Sequence, residues 1–217
     1  MTVTIPYLTT GARTAIRPFT RRDVDRWQAW PRHTDPLYEH FDPKPMSGSM
    51  RDAWYDEVVH RQRQIPFAID ALGGEDRQMI GRIFLRDVNR EQTVAELGID
   101  LSPAHIGRGL GTEALLIFLD HYFGPMGFRA MVLTVAAFNV RARRSYERLG
   151  FTYGASHWST FRARTTVLNH PRYADVRDLF RPGTNGFETL MLAMALDAVR
   201  FATSARHAHE HRADPAR

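Results

Sequence analysis

Seven residues, Ile106-Gly107-Arg108-Gly109-Leu110-Gly111-Thr112, lie where a strand-like run gives way to a helix-like run. Glycine permits close backbone approach, so such a junction aims the unpaired N–H groups that open a helix at an anion. A pyrophosphate-bearing cofactor suits that chemistry; a plain glycine-rich turn feeding a helix is the other reading. Further on, Asn139-Val140-Arg141-Ala142 leads to Tyr146 and then Leu149-Gly150-Phe151. Asn139 stands where an N-cap belongs, and cofactor contact is the other role open to it. Tyr146 falls on the same helical face, roughly 10 Å away by helical rise. It is either a core aromatic on the Ala142–Tyr146–Leu149 stripe or a polar group set to act beside the cofactor.

The elements that must hold these residues are legible from pattern. Ala15-Ile16-Arg17-Pro18-Phe19 ends an opening strand, and Thr20-Arg21-Arg22-Asp23 has the form of a capping box before Val24, Trp27 and Trp30. Pro31 and Pro36 stop that helix, Phe41 to Gly48 is a loop, and Ser49-Met50-Arg51-Asp52 reads as a second capping box. Strands are expected at Pro66–Leu72, Met79–Arg86 and Thr93–Leu101, with turns at Gly73-Gly74-Glu75-Asp76 and Asp87-Val88-Asn89-Arg90. Ala114, Leu115, Phe118, Leu119 and Tyr122 recur at helical spacing within Gly109–Phe123. Ala130–Val135 is a buried strand, and Asn139–Leu149 a helix ended by Gly150. Phe151–Val167 contains a strand, and Phe187–Leu196 is the last one. This order gives a mixed α+β fold in which an antiparallel half meets a βαβ half. A single domain over residues 1–202 is expected, with a long loop at 169–186 that is either a functional flap or a tolerated insertion. Residues 203–217, with His207, His209 and His211, read as a polar, disordered tail rather than a metal site.

Composition narrows the chemistry. The 217 residues contain no cysteine, which removes disulfides, thiolate nucleophiles and cysteine-based metal sites and fits a cytoplasmic location. Met1 to Thr10 lacks the pattern of a signal peptide, and no apolar run is long enough to span a membrane. The formal charge is +5, and Lys44 is the sole lysine. That bias reads as codon usage or as an arginine-lined anion surface. The arginines are spread without aromatic interleaving, which argues against nucleic acid as a partner.

The two signatures, in order and on the expected elements, resemble those of the GNAT superfamily of acetyl-CoA-dependent N-acetyltransferases. Ile106 departs from the Arg or Gln usual at the first position, and Arg108 is placed to compensate. The opening Ala15-Ile16-Arg17-Pro18-Phe19-Thr20-x-x-Asp23 resembles the RimJ/RimL-like branch. The resemblance covers about residues 8 to 166. It implies a central, mostly antiparallel twisted sheet of about six or seven strands, flanked by helices and splayed at the acyl-CoA site. Ile99, Asp100 and Leu101 would pair with the pantetheine arm, and the pyrophosphate would sit over the amides of Gly107 to Thr112. Tyr146 would protonate the leaving CoA thiolate, acetyl-CoA would be the co-substrate, and no metal is implied. The reaction is attack of an amine on the thioester through an oxyanion, with a backbone N–H near Ile99 as donor. Glu96 is the expected base, with Asp100 on the same face by strand parity as the fallback. His33, Asp35, Glu39, His40, Asp42, Asp52, Asp56 and Glu57 offer an acidic and aromatic rim to a cationic amine, or are solvated helix faces. A protein N-terminus, an aminoglycoside and a polyamine are all open as acceptors, and homodimers are common among such proteins. A non-catalytic acyl-CoA sensor with the same fold is the alternative function.

Overall fold

The structure, a computed structural model, describes residues 5–60, 64–73, 77–162, 165–184 and 186–204. Strands β1 (Thr9–Thr10) and β2 (Thr14–Pro18) precede helices α1 (Arg21–Gln28) and α2 (Gly48–Tyr55). Then β3 (Ile65–Ala71), β4 (Gln78–Asn89) and β5 (Val94–Leu101) pair as antiparallel neighbours. Helix α3 (Leu110–Phe123) carries the chain over to β6 (Ala130–Ala136), which runs parallel to β5. Helix α4 (Val140–Arg148) leads to β7 (Thr152–Phe161), and β8 (Phe180–Gly183) and β9 (Gly186–Asp197) follow. All lie in one sheet, ordered β1-β2-β3-β4-β5-β6-β9-β7, with β8 also on β9. Nine strands are therefore present among the described residues. Those beyond the seven expected are the two-residue β1 and the four-residue β8.

Helix α3 covers the sheet with the stripe its spacing announces: Ala114, Leu115, Phe118, Leu119 and Tyr122 are all buried. The Tyr122 hydroxyl, carried inside with its ring, donates to the Ala130 carbonyl at 2.7 Å. The capping box at Thr20 forms, with the Asp23 carboxylate accepting from Thr20 N–H at 2.9 Å. The second does not form where expected. Ser47, two residues before Ser49, caps α2 by accepting from Met50 N–H, because the helix already begins at Gly48. The β4–β5 turn also falls later than expected. Asn89 still pairs with Val94 after a bulge in which Asp87 takes a positive φ of 46°.

The expected loop at 169–186 is instead short helical turns over Thr165–Asn169 and Pro171–Leu179, followed by β8. Leu168, Tyr173 and Phe180 bury against Phe138 and Phe161, which gives this polar-looking segment an apolar anchor. The turn residues Gly74, Glu75 and Asp76, and the tail from 205 with its three histidines, lie outside the described residues. Residues 198–204 are helical, and Phe201 packs on Phe123. Among the described residues no helix is long and apolar enough to cross a membrane.

A buried charge network fastens the helical layer to the sheet. Arg17 on β2 holds Asp70 on β3 through Nε (2.8 Å) and Nη2 (3.0 Å), and Asp23 on α1 through Nη1 (2.7 Å) and Nη2 (2.9 Å). All three side chains are buried. Burial alone would raise the Asp23 pKa, but the hydrogen bonds from Arg17 and Thr20 outweigh it and hold it below 3.8. Its contribution to stability is therefore full above that pH and is lost as the pH falls through the lower folded value. Arg17→Met leaves buried Asp70 without its cation and Asp23 with only Arg26, at 2.8 Å, and is expected to cost about 3–5 kcal/mol. Urea unfolding checks this, and its pH trend checks the cause. Relative to the wild type, whose Asp23 contribution is lost only as the pH falls below 3.8, the variant's deficit should narrow between about pH 7 and pH 5 as its buried carboxylates take up protons.

Candidate active site

The central feature of the sheet is an incomplete pairing. β5 and β6 are in register only over Val94–Glu96 and Ala130–Val132, after which the two strands part. Ser102 N–H reaches across to the Ile80 carbonyl on β4 at 2.8 Å. By alternation, the main-chain groups of Leu97, Ile99 and Leu101 face away from β4, toward the gap. The gap opens into a cleft of about 1090 Å³. Its walls are β5, the glycine loop, the start of α3, the C-terminal half of β6, α4 and the segment around Tyr38–Phe41.

Each glycine of the loop has its own reason. Gly107 (φ 81°) and Gly109 (φ 76°) take left-handed conformations, and Gly109 is the N-cap of α3. A side chain on Gly107 would meet nothing, so the space above it is open to a ligand. Gly111 lets α3 approach β5: a Cβ there would lie 2.5 Å from Leu101 Cδ1. Glu113, the acid of the first turn of α3, is turned toward Arg13, whose backbone N–H and Nε bind it at 2.6 and 2.8 Å. Burial pushes its pKa up, but these hydrogen bonds prevail and hold it below the usual value. It stays an anion neutralised outside the cleft.

On α4, Asn139 caps the helix, its Oδ1 accepting from Ala142 N–H at 3.3 Å, and it also lines the cleft. Of the two roles expected for it, the cap is formed, and its place on the cleft wall leaves it facing the space a cofactor would need. Tyr146 likewise belongs to the core cluster, with its ring 5.7 Å from Phe151, and forms part of the cleft wall. Burial, with a smaller effect from Asp100, pushes its pKa well above the ordinary 10.0, so the phenol keeps its proton. Thr112 Oγ1 donates to Ser145 Oγ at 3.0 Å, tying the two helices where both line the cleft.

The cleft thus gathers Ile99, Asp100, Leu101, Ile106, Gly107, Gly109, Gly111, Thr112, Asn139 and Tyr146. Three expected residues are not among its walls. Arg108 is exposed, and its carbonyl accepts from Arg13. Leu110 packs on the main core. Glu96 sits where β5 and β6 are still paired and accepts from Arg86 Nη2 at 2.6 Å, so the strand position that made it a base candidate keeps it out of the cleft. Asp100 lines the cleft but is held by Arg82 Nε at 2.8 Å.

Of the rim, Asp35 and His40 line the main cleft, while His33 and Asp42 line a side pocket of about 100 Å³. Asp52 pairs with Arg21 on the outer face instead. The His40 ring is open to the cleft yet crowded by Phe41, Phe138 and Phe161, and this desolvation pushes its pKa down to about 4. Arg141, Arg144 and Arg148 also line the cleft. Their spacing of three and four residues on α4 marks one helical face, a signal readable in the sequence and passed over. The rings of Phe138 and Phe161 carried no such signal, since strand and loop residues far apart in the chain assemble that wall.

An open sheet parted beside a glycine loop, and helices that converge on the gap, define an acetyltransferase fold. The chain belongs to the GNAT acetyltransferase family: the family model "Acetyltransferase (GNAT) domain" matches residues 13–152. Spermidine N(1)-acetyltransferase of Escherichia coli (strain K12) is 30% identical over 98 residues, 45% of this chain and 50% of that protein. Mycothiol acetyltransferase of Corynebacterium glutamicum (strain R) is 42% identical over 59 residues, 27% and 20% of the two chains. The chain thus spans half or less of these relatives' length. Among solved structures, spermidine N-acetyltransferase from Vibrio cholerae in complex with CoA and spermine aligns with a TM-score of 0.67. That alignment has 18% identity and covers 88% of this chain and 99% of that one, a likeness of fold.

Gly98, on the cleft side of β5, is roofed by Phe84, and a methyl added there would overlap that ring. Gly98→Ala is expected to cost about 1–3 kcal/mol by overpacking. In a double-mutant cycle Phe84→Ala should remove most of that penalty, read from urea midpoints.

Proposed function

We propose that this chain transfers an acetyl group from acetyl-CoA to a primary amine by direct attack in a ternary complex. The observation that carries the reading is the parting of β5 from β6 beside the glycine loop. A strand edge with unpaired amides is the partner that a pantetheine arm, itself a string of amides, requires. On this reading the pyrophosphate rests over the amides of Gly107 to Thr112 at the positive end of α3. Arg141, Arg144 and Arg148 add cationic charge along the same wall.

The thioester carbonyl then lies near Ile99, whose N–H faces the gap and would take the hydrogen bond of the developing oxyanion. Tyr146, kept protonated by burial, supplies the proton to the departing sulfur. Asp100 would orient the amine. No enzyme nucleophile is needed, in keeping with a chain that has no cysteine.

For the acceptor, the charge of the cleft supports a single amine on an apolar body over a polyamine. The cleft walls carry Arg86, Arg141, Arg144, Arg148 and Arg162 against Asp35 and Asp100. Asp100 is already paired with Arg82, and Asp35 accepts from Tyr173 at 2.5 Å and Arg172 at 3.3 Å. With both acids of the wall already bound, and Arg86 itself paired with Glu96, a second or third ammonium finds no carboxylate of its own there. Tyr38, His40, Phe41, Phe138 and Phe161 instead present rings, which suit one cation and its hydrocarbon carrier.

The test is release of free CoA from acetyl-CoA with arylalkylamines, apolar peptide N-termini, spermidine and spermine. The arylalkylamine or apolar peptide should show the higher kcat/KM by about tenfold or more, a difference of about 1.4 kcal/mol. Preference for spermidine would overturn the acceptor class. Tyr146→Phe should lower kcat about 100-fold with little change in acetyl-CoA affinity; an unchanged kcat would remove its role as acid. Arg144→Glu, on an exposed helix surface, should weaken acetyl-CoA binding about tenfold in calorimetry while leaving the thermal midpoint in place.

A further inference from the structure

The carboxylates expected to take the amine's proton are both bound by arginines, Glu96 by Arg86 and Asp100 by Arg82. Each carboxylate therefore already has a cationic partner and is not free for the amine's ammonium. The side pocket holds a different arrangement. His33 Nδ1 lies 2.6 Å from Asp42 Oδ1, and the same oxygen accepts from the His33 backbone N–H at 3.1 Å. Both side chains are largely enclosed, exposed by only 12% and 8%. The imidazole is further fixed by Tyr38, stacked at 6.1 Å, and by Phe41 at 6.4 Å. With Nδ1 committed to a carboxylate, the tautomer is set and Nε2 is the nitrogen left to act.

The location gives this pair a use. The side pocket is lined by His33 and Asp42 together with Ile99, Asp100 and Leu101, the stretch of β5 that also walls the main cleft. An amine poised at a thioester beside Ile99 therefore has His33 across that shared stretch of β5, directly or through water in the side pocket; His40 and His105 also line the main cleft, but His33 is the imidazole whose Nδ1 is held by a carboxylate. We propose that His33 accepts the amine's proton and that Asp42 is its positioning residue, an assignment that rests on the acetyl-transfer reading above.

The protons balance. The ammonium gives one proton to His33 Nε2, and the freed nitrogen lone pair forms the C–N bond at the thioester carbon. The adduct loses a second proton as the C–S bond breaks, and that proton reaches the CoA sulfur through Tyr146. The third proton stays on the amide, and the imidazolium releases its own to water. The charged and titratable groups around His33 are Asp42, Tyr38 and His40 from its own segment, Asp100 from β5 and Arg141 from α4.

The experiment follows kcat/KM across pH for the wild type, His33→Gln and Asp42→Asn, with acetyl-CoA affinity measured by calorimetry on each. His33→Gln should bind acetyl-CoA like the wild type and lose about 100-fold in kcat/KM near neutral pH. It should recover as the pH approaches the amine's own pKa, where free amine no longer needs a base. Asp42→Asn should fall less and move the acidic limb of the profile. Wild-type kcat/KM and an unmoved limb in His33→Gln would overturn the proposal and leave acetyl transfer standing. A wild-type protein that binds no acetyl-CoA, or turns over no amine, would overturn acetyl transfer and this inference together. If His33→Gln loses acetyl-CoA binding through misfolding, the wild type itself decides. The His33 ring, followed by NMR with CoA bound, should titrate with the midpoint of the acidic limb, and a separate midpoint would overturn the proposal.

Discussion

Two strands that begin paired and then separate govern the molecule. After Glu96 and Val132, β5 stays with β4 and β6 stays with β9, and among the described residues no strand pairs with Leu97, Ile99 and Leu101 on the side away from β4. In a buried sheet such a gap is costly unless something polar enters it. The surrounding elements are arranged around that gap. Helix α3 brings amides to one end of it, α4 brings arginines and Tyr146 along its side, and the aromatic segment near Tyr38 closes the far end.

Holding two strands apart requires rigid supports on each. On the β5 side the support is a relay of charges and rings. Arg17 pins α1 through Asp23, Trp27 of that helix lies 3.8 Å from the Arg82 guanidinium, and Arg82 grips Asp100 at the edge of the cleft. On the β6 side the support is apolar. Ala136, Phe138, Phe161 and Phe180 join in one cluster, which Leu168 and Tyr173 of the inserted segment complete. One flank thus resists movement through hydrogen-bonded geometry and the other through packing.

The sequence made some of this readable and hid the rest, for physical reasons. Helix α3 was legible because a 3.6-residue period survives wherever one face is buried, and its apolar stripe is buried as the spacing implied. The glycine loop was legible because left-handed backbone at Gly107 and Gly109 leaves few alternatives to glycine. Glu96 shows the limit. Strand parity assigns its face but not the residue at which β5 leaves β6, and that register decides whether a side chain reaches the cleft. The segment from 165 to 183 shows another limit. Its buried residues are few and widely spaced, and their partners on β6 and β7 are distant in sequence, so its local composition resembles a loop. The proximity of His33 to Asp42 likewise depends on how a proline-interrupted stretch folds back on itself.

The position of β9 has a consequence for how the molecule comes into being. Strand β9, the last among the described residues, is not at an edge; it slides between β6 and β7, pairing with β6 along Ala130–Ala136 and with β7 along Thr152–Phe161. During synthesis, β2 to β5 can zip up as successive antiparallel neighbours soon after they emerge. β6, apolar and central, must wait with one whole edge bare until residues 186–197 have left the ribosome. That interval is when the chain is most open to pairing with a neighbour of its own kind. The cleft therefore forms only once β9 has been made, since one of its two walls is held in place by that strand.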